Sequence, residues 1–258
     1  MSIGRGESFA HARTLYDKRL SPQSTQQMRD LLERSHHEAS VFHAATVLCD
    51  YLNRWNDAGN PEVAKAEAAV LQALTHDPKH ALAHYAKGFV HRTKGEHEAA
   101  LAAFTETLKH DPEFARAHAQ RGEELIYLGR AEEGIAEVET ALKLRPRSSA
   151  RGMFYWIIGR ARFFMGQDAE AIPWLRHSVR LWPNLWYNRL YLVSAYALSG
   201  NKAAASRALR AFEREFPGYT LERVTEHERA TPNKHLFVVE GRRRFHEGLQ
   251  VAGMPARP

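Results

Sequence analysis

Proline recurs through the middle of this 258-residue chain at Pro78, Pro112, Pro146, Pro183 and Pro217, at intervals of 34, 34, 37 and 34 residues. Glycine keeps the same beat at Gly95, Gly129, Gly166 and Gly200, and a second series, Gly88, Gly122 and Gly159, runs seven residues ahead of it. Three series with one period and one shared three-residue slip define an internal repeat, which governs the whole fold. Each marker has a mechanical reading. The later glycine closes the first helix of a pair, where a left-handed residue is needed. The proline follows the second helix, which it cannot continue. The earlier glycine lies inside a helix, where it costs about 1 kcal/mol against alanine, so a neighbouring helix must come too close for a side chain.

Between the markers the apolar period is helical. Ala100, Phe104 and Leu108 recur every four residues, and the matching sets Ile135, Val138 and Leu142, then Ala171, Leu175 and Val179, then Ala205, Leu209 and Phe212 keep spacings of three or four. Such stripes are what a helix pair buries against its neighbours. Helix formers dominate the same region and strand-like runs of Val, Ile and Thr are almost absent, so the chain is read as all-α.

Gly88, Ala100, Phe104 and Pro112 match the small-small-aromatic-proline skeleton of tetratricopeptide repeats, and Gly122, Ala141, Pro146 and Gly159, Ala171, Pro183 echo it. The chain therefore resembles that family. The resemblance implies a right-handed superhelical solenoid of antiparallel helix pairs. The full units are Ala81–Phe114, Ala115–Arg147, Gly152–Leu185 and Trp186–Tyr219. Ser148–Arg151 is the extra turn behind the 37-residue interval. A degenerate first unit spans about residues 37–79 and keeps Ala66, Ala73 and Pro78, but Arg54 stands where a small residue belongs. Pro173 falls early in a second helix, where it bends the helix rather than breaking it.

A solenoid needs capped ends. Residues 1–36 read as a polar segment with a capping helix at about 24–34, residues 37–219 as the array of about five helix pairs, and residues 220–258 as C-terminal capping helices and tail. Thr231-Pro232 is a helix start, after which Val238, Phe245, Leu249 and Ala252 share one face up to Gly253. This amphipathic helix is expected to close the last repeat, with Arg242-Arg243-Arg244 largely on its wet side. Phe237–Pro255 (FVVEGRRRFHEGLQVAGMP) and Arg160–Pro183 also resemble the tetratricopeptide arrays that bacterial proteins carry behind a class III adenylate cyclase or a winged-helix regulatory domain. The likeness covers about residues 32–255 and leaves no room here for the catalytic or DNA-binding domain.

The net charge of +6 comes from 36 basic against 30 acidic residues. The basic residues are interleaved with acids, which points away from a nucleic-acid partner. No stretch approaches the ~20 apolar residues of a membrane span, and the single Cys49 fits a reducing compartment, so a soluble cytoplasmic protein is expected. Fifteen histidines raise a metal site. His76, His80 and His84 are spaced by four, and His36-His37 precede His43, but Pro78 separates His76 from the helix of the other two. His76/His110 and His84/His118 are repeat equivalents, which the period explains without a ligand. No phosphate loop, serine elbow or acidic metal motif is present. No catalytic residue, cofactor or metal is assigned, and a histidine-based metal protein or enzyme is the lowest alternative.

That leaves recognition of a protein or peptide, with no oligomeric state implied. In tetratricopeptide arrays the first helix of each pair lines the concave groove. Carried onto this frame, the resemblance gives Tyr85, Phe89 and Arg92, then Glu123 and Tyr127, then Trp156, Arg160 and Phe164, then Tyr187 as partner-binding positions, with Met153, Phe163, Leu190 and Ser194 beside them. The third full unit is densest in aromatics, which are preferred binding anchors. Groove anchors and contacts between neighbouring helices remain two open readings of that cluster. The principal expectation is a non-catalytic adaptor binding a peptide or helix; the alternative is a regulatory subunit docking on a cyclase-like or winged-helix partner.

Overall fold

The computed structural model describes residues 61–257, apart from 149, 184 and 230–232. The described residues form eleven α-helices and no strand. They are α1 (Pro61–His76), α2 (Ala81–Thr93), α3 (His97–His110), α4 (Ala115–Tyr127), α5 (Ala131–Leu144), α6 (Arg151–Phe164), α7 (Asp168–Leu181), α8 (Trp186–Leu198), α9 (Lys202–Glu215), α10 (Leu221–Arg229) and α11 (Leu236–Ala252). The four full units drawn from the sequence correspond to the pairs α2–α3, α4–α5, α6–α7 and α8–α9.

The punctuation works as its chemistry requires. Gly95, Gly129, Gly166 and Gly200 all have φ between 76° and 84°. In each case the amide of the next residue bonds back to a carbonyl of the first helix: Glu96 to His91, Arg130 to Leu125, Gln167 to Arg162 and Asn201 to Tyr196, at 2.8–3.0 Å. This closure satisfies carbonyls that a helix end leaves open. The residues before Pro112, Pro146, Pro183 and Pro217 leave helical geometry, with φ from −139° to −128°, after donating one last amide bond into the second helix. The steric demand of the proline ring on the preceding residue accounts for that stop. α7 runs unbroken through Pro173.

The internal glycines mark close approaches, as expected. A Cβ on Gly88 would stand 2.5 Å from the Phe104 ring, one on Gly122 would stand 2.5 Å from the Gly134 carbonyl oxygen, and one on Gly159 would stand 2.8 Å from Leu175.

The chain divides into two compact units, residues 1–117 and 118–258. In the first, Val63, Ala66 and Val70 of α1 pack with Tyr85, Ala86, Phe89 and Val90 of α2 and with Ala100, Phe104 and Leu108 of α3. In the second, the core draws on every pair, including Val138, Phe154, Ile157, Leu175, Val193, Leu209 and Phe212. Two stripe members move by one residue. Ala141 and Ser178 are buried, whereas Leu142 and Val179 are half-buried.

At the C-terminus α11 starts at Leu236, later than the Thr231-Pro232 signal, which lies outside the described residues. His235 caps it, its Nδ1 accepting the Phe237 amide at 3.3 Å, and Gly253 ends it at φ 92°. The tail then returns to α10, whose Leu221 and Glu222 amides donate to the carbonyls of Pro255 and Ala256. The expected N-terminal capping helix, the first helix of the degenerate unit, Cys49, Arg54, His36, His37 and His43 lie outside the described residues. None of the described helices is long and apolar enough to cross a membrane.

Candidate partner-binding face

In the first unit the predicted groove residues of α2 sit in the core. Tyr85 and Phe89 are each 2% exposed. Their rings meet edge-on at 5.1 Å, Tyr85 lies 4.8 Å from Phe114 and Phe89 lies 5.5 Å from Phe104. The Arg92 guanidinium lies over this cluster, 5.1 Å from Phe89 and 5.4 Å from Phe104. Against expectation, neither Tyr85 nor Phe89 offers free surface. Four rings and a cation make an apolar cluster whose stacking energy depends on their staying together.

In the second unit the predicted residues do converge. Arg160 of α6 donates from Nη2 to Glu123 Oε1 at 2.7 Å and from Nη1 to the Tyr127 hydroxyl at 3.0 Å, both on α4. Its guanidinium lies 4.8 Å from the Tyr127 ring, 5.2 Å from Trp156 and 6.0 Å from Phe164. Trp156 in turn meets Tyr187 of α8 at 4.8 Å and Tyr191 at 5.0 Å. Burial by itself would drive the Arg160 cation toward neutrality; Tyr127, Glu123 and Tyr191 outweigh it and hold the group protonated above the ordinary arginine range. A planar guanidinium suits such a site because it ion-pairs in its plane and stacks on its faces.

These positions are nonetheless mostly covered. Trp156, Arg160 and Phe164 are 6–7% exposed, whereas Tyr127 and Tyr187 are half-buried. Much of the cover on α6 and α8 is α11, which packs mainly on α8 and also on α6 and α9. Phe245 stacks on Tyr191 with centroids 4.0 Å apart and planes 9° from parallel. Phe237 meets Phe164 at 5.8 Å, and Gly241 approaches the Phe164 ring so closely that no Cβ fits between them. A Cβ on Gly248 would come within 2.7 Å of Ser194, whose hydroxyl donates to the Phe245 carbonyl at 2.9 Å. Just before α11, the Asn233 amide reaches the Tyr127 carbonyl. The C-terminal helix thus lies on the first helices of the last two pairs, on positions that the sequence frame assigns to a groove.

The triple-arginine run is correspondingly split. Arg243 is exposed and pairs within α11 to Glu240 and Glu247. Arg244 points inward, against expectation: it pairs with Asp168 in the first turn of α7 at 2.6 and 2.8 Å and lies 5.7 Å from the Phe163 ring. Burial also pushes the Tyr191 phenol above the usual tyrosine range, with Glu228 adding to the effect. Tyr191, Asp168, Arg244 and the two glycines were not singled out from the sequence as site residues. The signal for the glycines was present, because Gly241 and Gly248 are seven apart and share a helix face with Phe245.

Among the described residues, His80, His84 and His110 have local roles. His80 Nδ1 caps α2 by accepting the Ala83 amide, and the His84 ring nitrogen contacts the Pro78 carbonyl and stacks on His110 at 5.6 Å. Among the described residues no three His, Cys, Asp or Glu side chains converge as a metal site would require.

Comparison with known proteins agrees with the fold. Family models described as tetratricopeptide repeat match residues 57–113 and 115–148. No curated protein matches the chain. Among solved structures it is similar to PilW, a widely conserved type IV pilus biogenesis factor, with TM-score 0.61 and 20% identity over 81% of this chain and 92% of that one. It is also similar to PilF of Pseudomonas aeruginosa, with TM-score 0.59 and 22% identity over 83% and 91%. A third likeness is to YrrB, a tetratricopeptide protein with an unusual peptide-binding site, with TM-score 0.51 and 21% identity over 71% and 90%.

Proposed function

We propose that this chain, a tetratricopeptide-repeat protein, is a non-catalytic recognition module that holds a peptide or helix of a partner protein on the first-helix face of its second unit. Repeat arrays of this kind commonly mediate protein–protein contacts, and stacked first helices give an extended concave surface. The observation that carries the reading is α11 itself. An amphipathic helix lies across α6 and α8, with Phe237 on the groove position Phe164, Phe245 on the neighbouring Tyr191 and Arg244 paired to Asp168 of α7, which resembles the helix-in-groove mode of recognition. Tyr127, Met153 and Tyr187, which the sequence frame also assigns to the groove, are half-buried.

The peptide-binding site described for YrrB accords with this reading, although that likeness concerns the fold. The regulatory alternative, docking on a cyclase-like or winged-helix partner, rests on the resemblance of Phe237–Pro255. In that segment Phe237, Arg244 and Phe245 have packing roles within the fold, so its sequence pattern is explained without a second domain, and the general recognition reading is preferred.

The test is a peptide-array screen of the full chain against helical and extended peptides, followed by titration of Met153→Glu and Tyr187→Glu variants. Both substitutions place charge at half-buried positions. The reading expects binding to weaken at least tenfold with helicity retained, and unchanged binding in both variants would refute it.

A further inference from the structure

The occupant of the second unit's groove shows what that groove selects. Three features of the α11 seat matter. First, Gly241 and Gly248 bring its backbone against Phe164 and Ser194 at distances a side chain would forbid. A glycine inside a helix is unfavourable, so the pair is explained by the surface it meets rather than by helix formation. Second, one of the buried polar contacts, from the Ser194 hydroxyl to the Phe245 carbonyl, is made to main chain and is indifferent to sequence. Register comes instead from Arg244 on Asp168 and from Phe245 on Tyr191. Third, the seat is imperfect: buried Nε of Arg244 has no acceptor, and a buried donor without a partner weakens the docking that contains it.

We propose that α11 is a resident occupant of a site whose partner is another protein's amphipathic helix of the same chemistry, with which α11 competes. The pattern such a helix must present is glycine, then arginine three residues on, an aromatic next to it, glycine three further, and an aliphatic after that, as in Gly241, Arg244, Phe245, Gly248 and Leu249. The arginine supplies the cation for Asp168, the aromatic the stack on Tyr191, and the glycines the close approach. This rests on the groove reading above and adds the partner's chemistry and its regulation. Because α11 is tethered, it competes at an effective concentration of about 1 mM. A free helix of equal intrinsic affinity therefore binds the unaltered chain only at roughly millimolar concentration, and a physiological partner must improve on the α11 seat.

The experiment uses the full chain and a fluorescein-labelled synthetic peptide of residues 233–254, read by anisotropy. Gly241→Leu with Gly248→Leu expels α11 and leaves every groove residue intact. The expected result is peptide binding at least tenfold tighter in the doubly substituted chain than in the unaltered one. A peptide carrying Arg244→Glu should then lose at least tenfold, and Asp168→Lys in the receptor should restore it. Three results overturn the proposal: a folded double variant that binds no tighter, indifference to the arginine, or collapse of helicity beyond α11, which would make α11 an inseparable part of the fold. If captured partners remain sensitive to Met153→Glu while the peptide fails, the groove reading stands and this inference falls.

Discussion

Truncating Phe245 to alanine tests how α11 is held. The side chain is 1% exposed, stacked on Tyr191 at 4.0 Å, and flanked on the same face by Val238 and Leu249, both fully buried. Removing a buried phenylalanine costs about 3–5 kcal/mol, through lost transfer energy and the cavity left behind. That loss falls on the docking of α11, because the Phe245 ring stacks across the contact on Tyr191 of α8. At about 1.4 kcal/mol per factor of ten, the population with α11 open should rise roughly 140- to 3700-fold. Native-state hydrogen exchange reads this directly: amides of residues 236–252 should speed up by that factor while those of α3, in the other unit, keep their rates. Val239→Ala on the same helix is the control, since Val239 is 48% exposed and its loss should change little. Equal effects from the two substitutions, or acceleration spread evenly through both units, would refute the reasoning.

Other consequences are independent of α11. Gly122→Ala should gain about 1 kcal/mol of helix propensity but lose more to overpacking against the Gly134 carbonyl and Val138, typically about 1–3 kcal/mol; thermal melts should show net destabilisation, and a stabilised variant would show the approach to be looser. Glu123→Gln leaves the buried Arg160 cation uncompensated and should cost about 3–5 kcal/mol by chemical denaturation. Glu137 is held below the usual carboxylate range: burial opposes this, but bonds from His118 and Arg121 prevail. Its folded pKa is depressed, so its contribution is present above the unfolded value of about 4.3 and lost as pH falls through the folded one; Glu137→Gln should flatten that acid limb. Burial raises the Tyr191 phenol, so its contribution is whole below about pH 10 and lost as pH climbs beyond; Tyr191→Phe should flatten the alkaline limb.

The repeat was legible because its markers are local. A glycine forced to positive φ and a proline that stops a helix act within a few residues, so Gly95, Gly129 and Pro146 could be read without knowing the neighbours. Gly88, Gly122 and Gly159 were legible for a related reason, since a recurring glycine in a helix implies a close contact even when its partner is unknown. The face was harder. Tyr85 and Phe89 occupy groove positions of the repeat, yet they complete an aromatic cluster with Phe104 and Phe114, and position in a repeat does not say what lies opposite. A run such as Arg242-Arg243-Arg244 reads as a largely solvated face, because charge runs usually mark one. The inward turn of Arg244 depends on Asp168, 76 residues earlier, and no local pattern encodes a pairing of that range.

The central claim is that the first-helix face of the last two pairs is a seat for a helix, occupied by α11. Its most direct test is nuclear Overhauser spectroscopy on the full chain with Phe- and Tyr-selective labelling. The account predicts strong ring-to-ring contacts between Phe245 and Tyr191, centroids 4.0 Å apart, and weaker ones between Phe237 and Phe164 at 5.8 Å. A helical α11 whose aromatic protons show no contact with Tyr191 or Phe164 would contradict it.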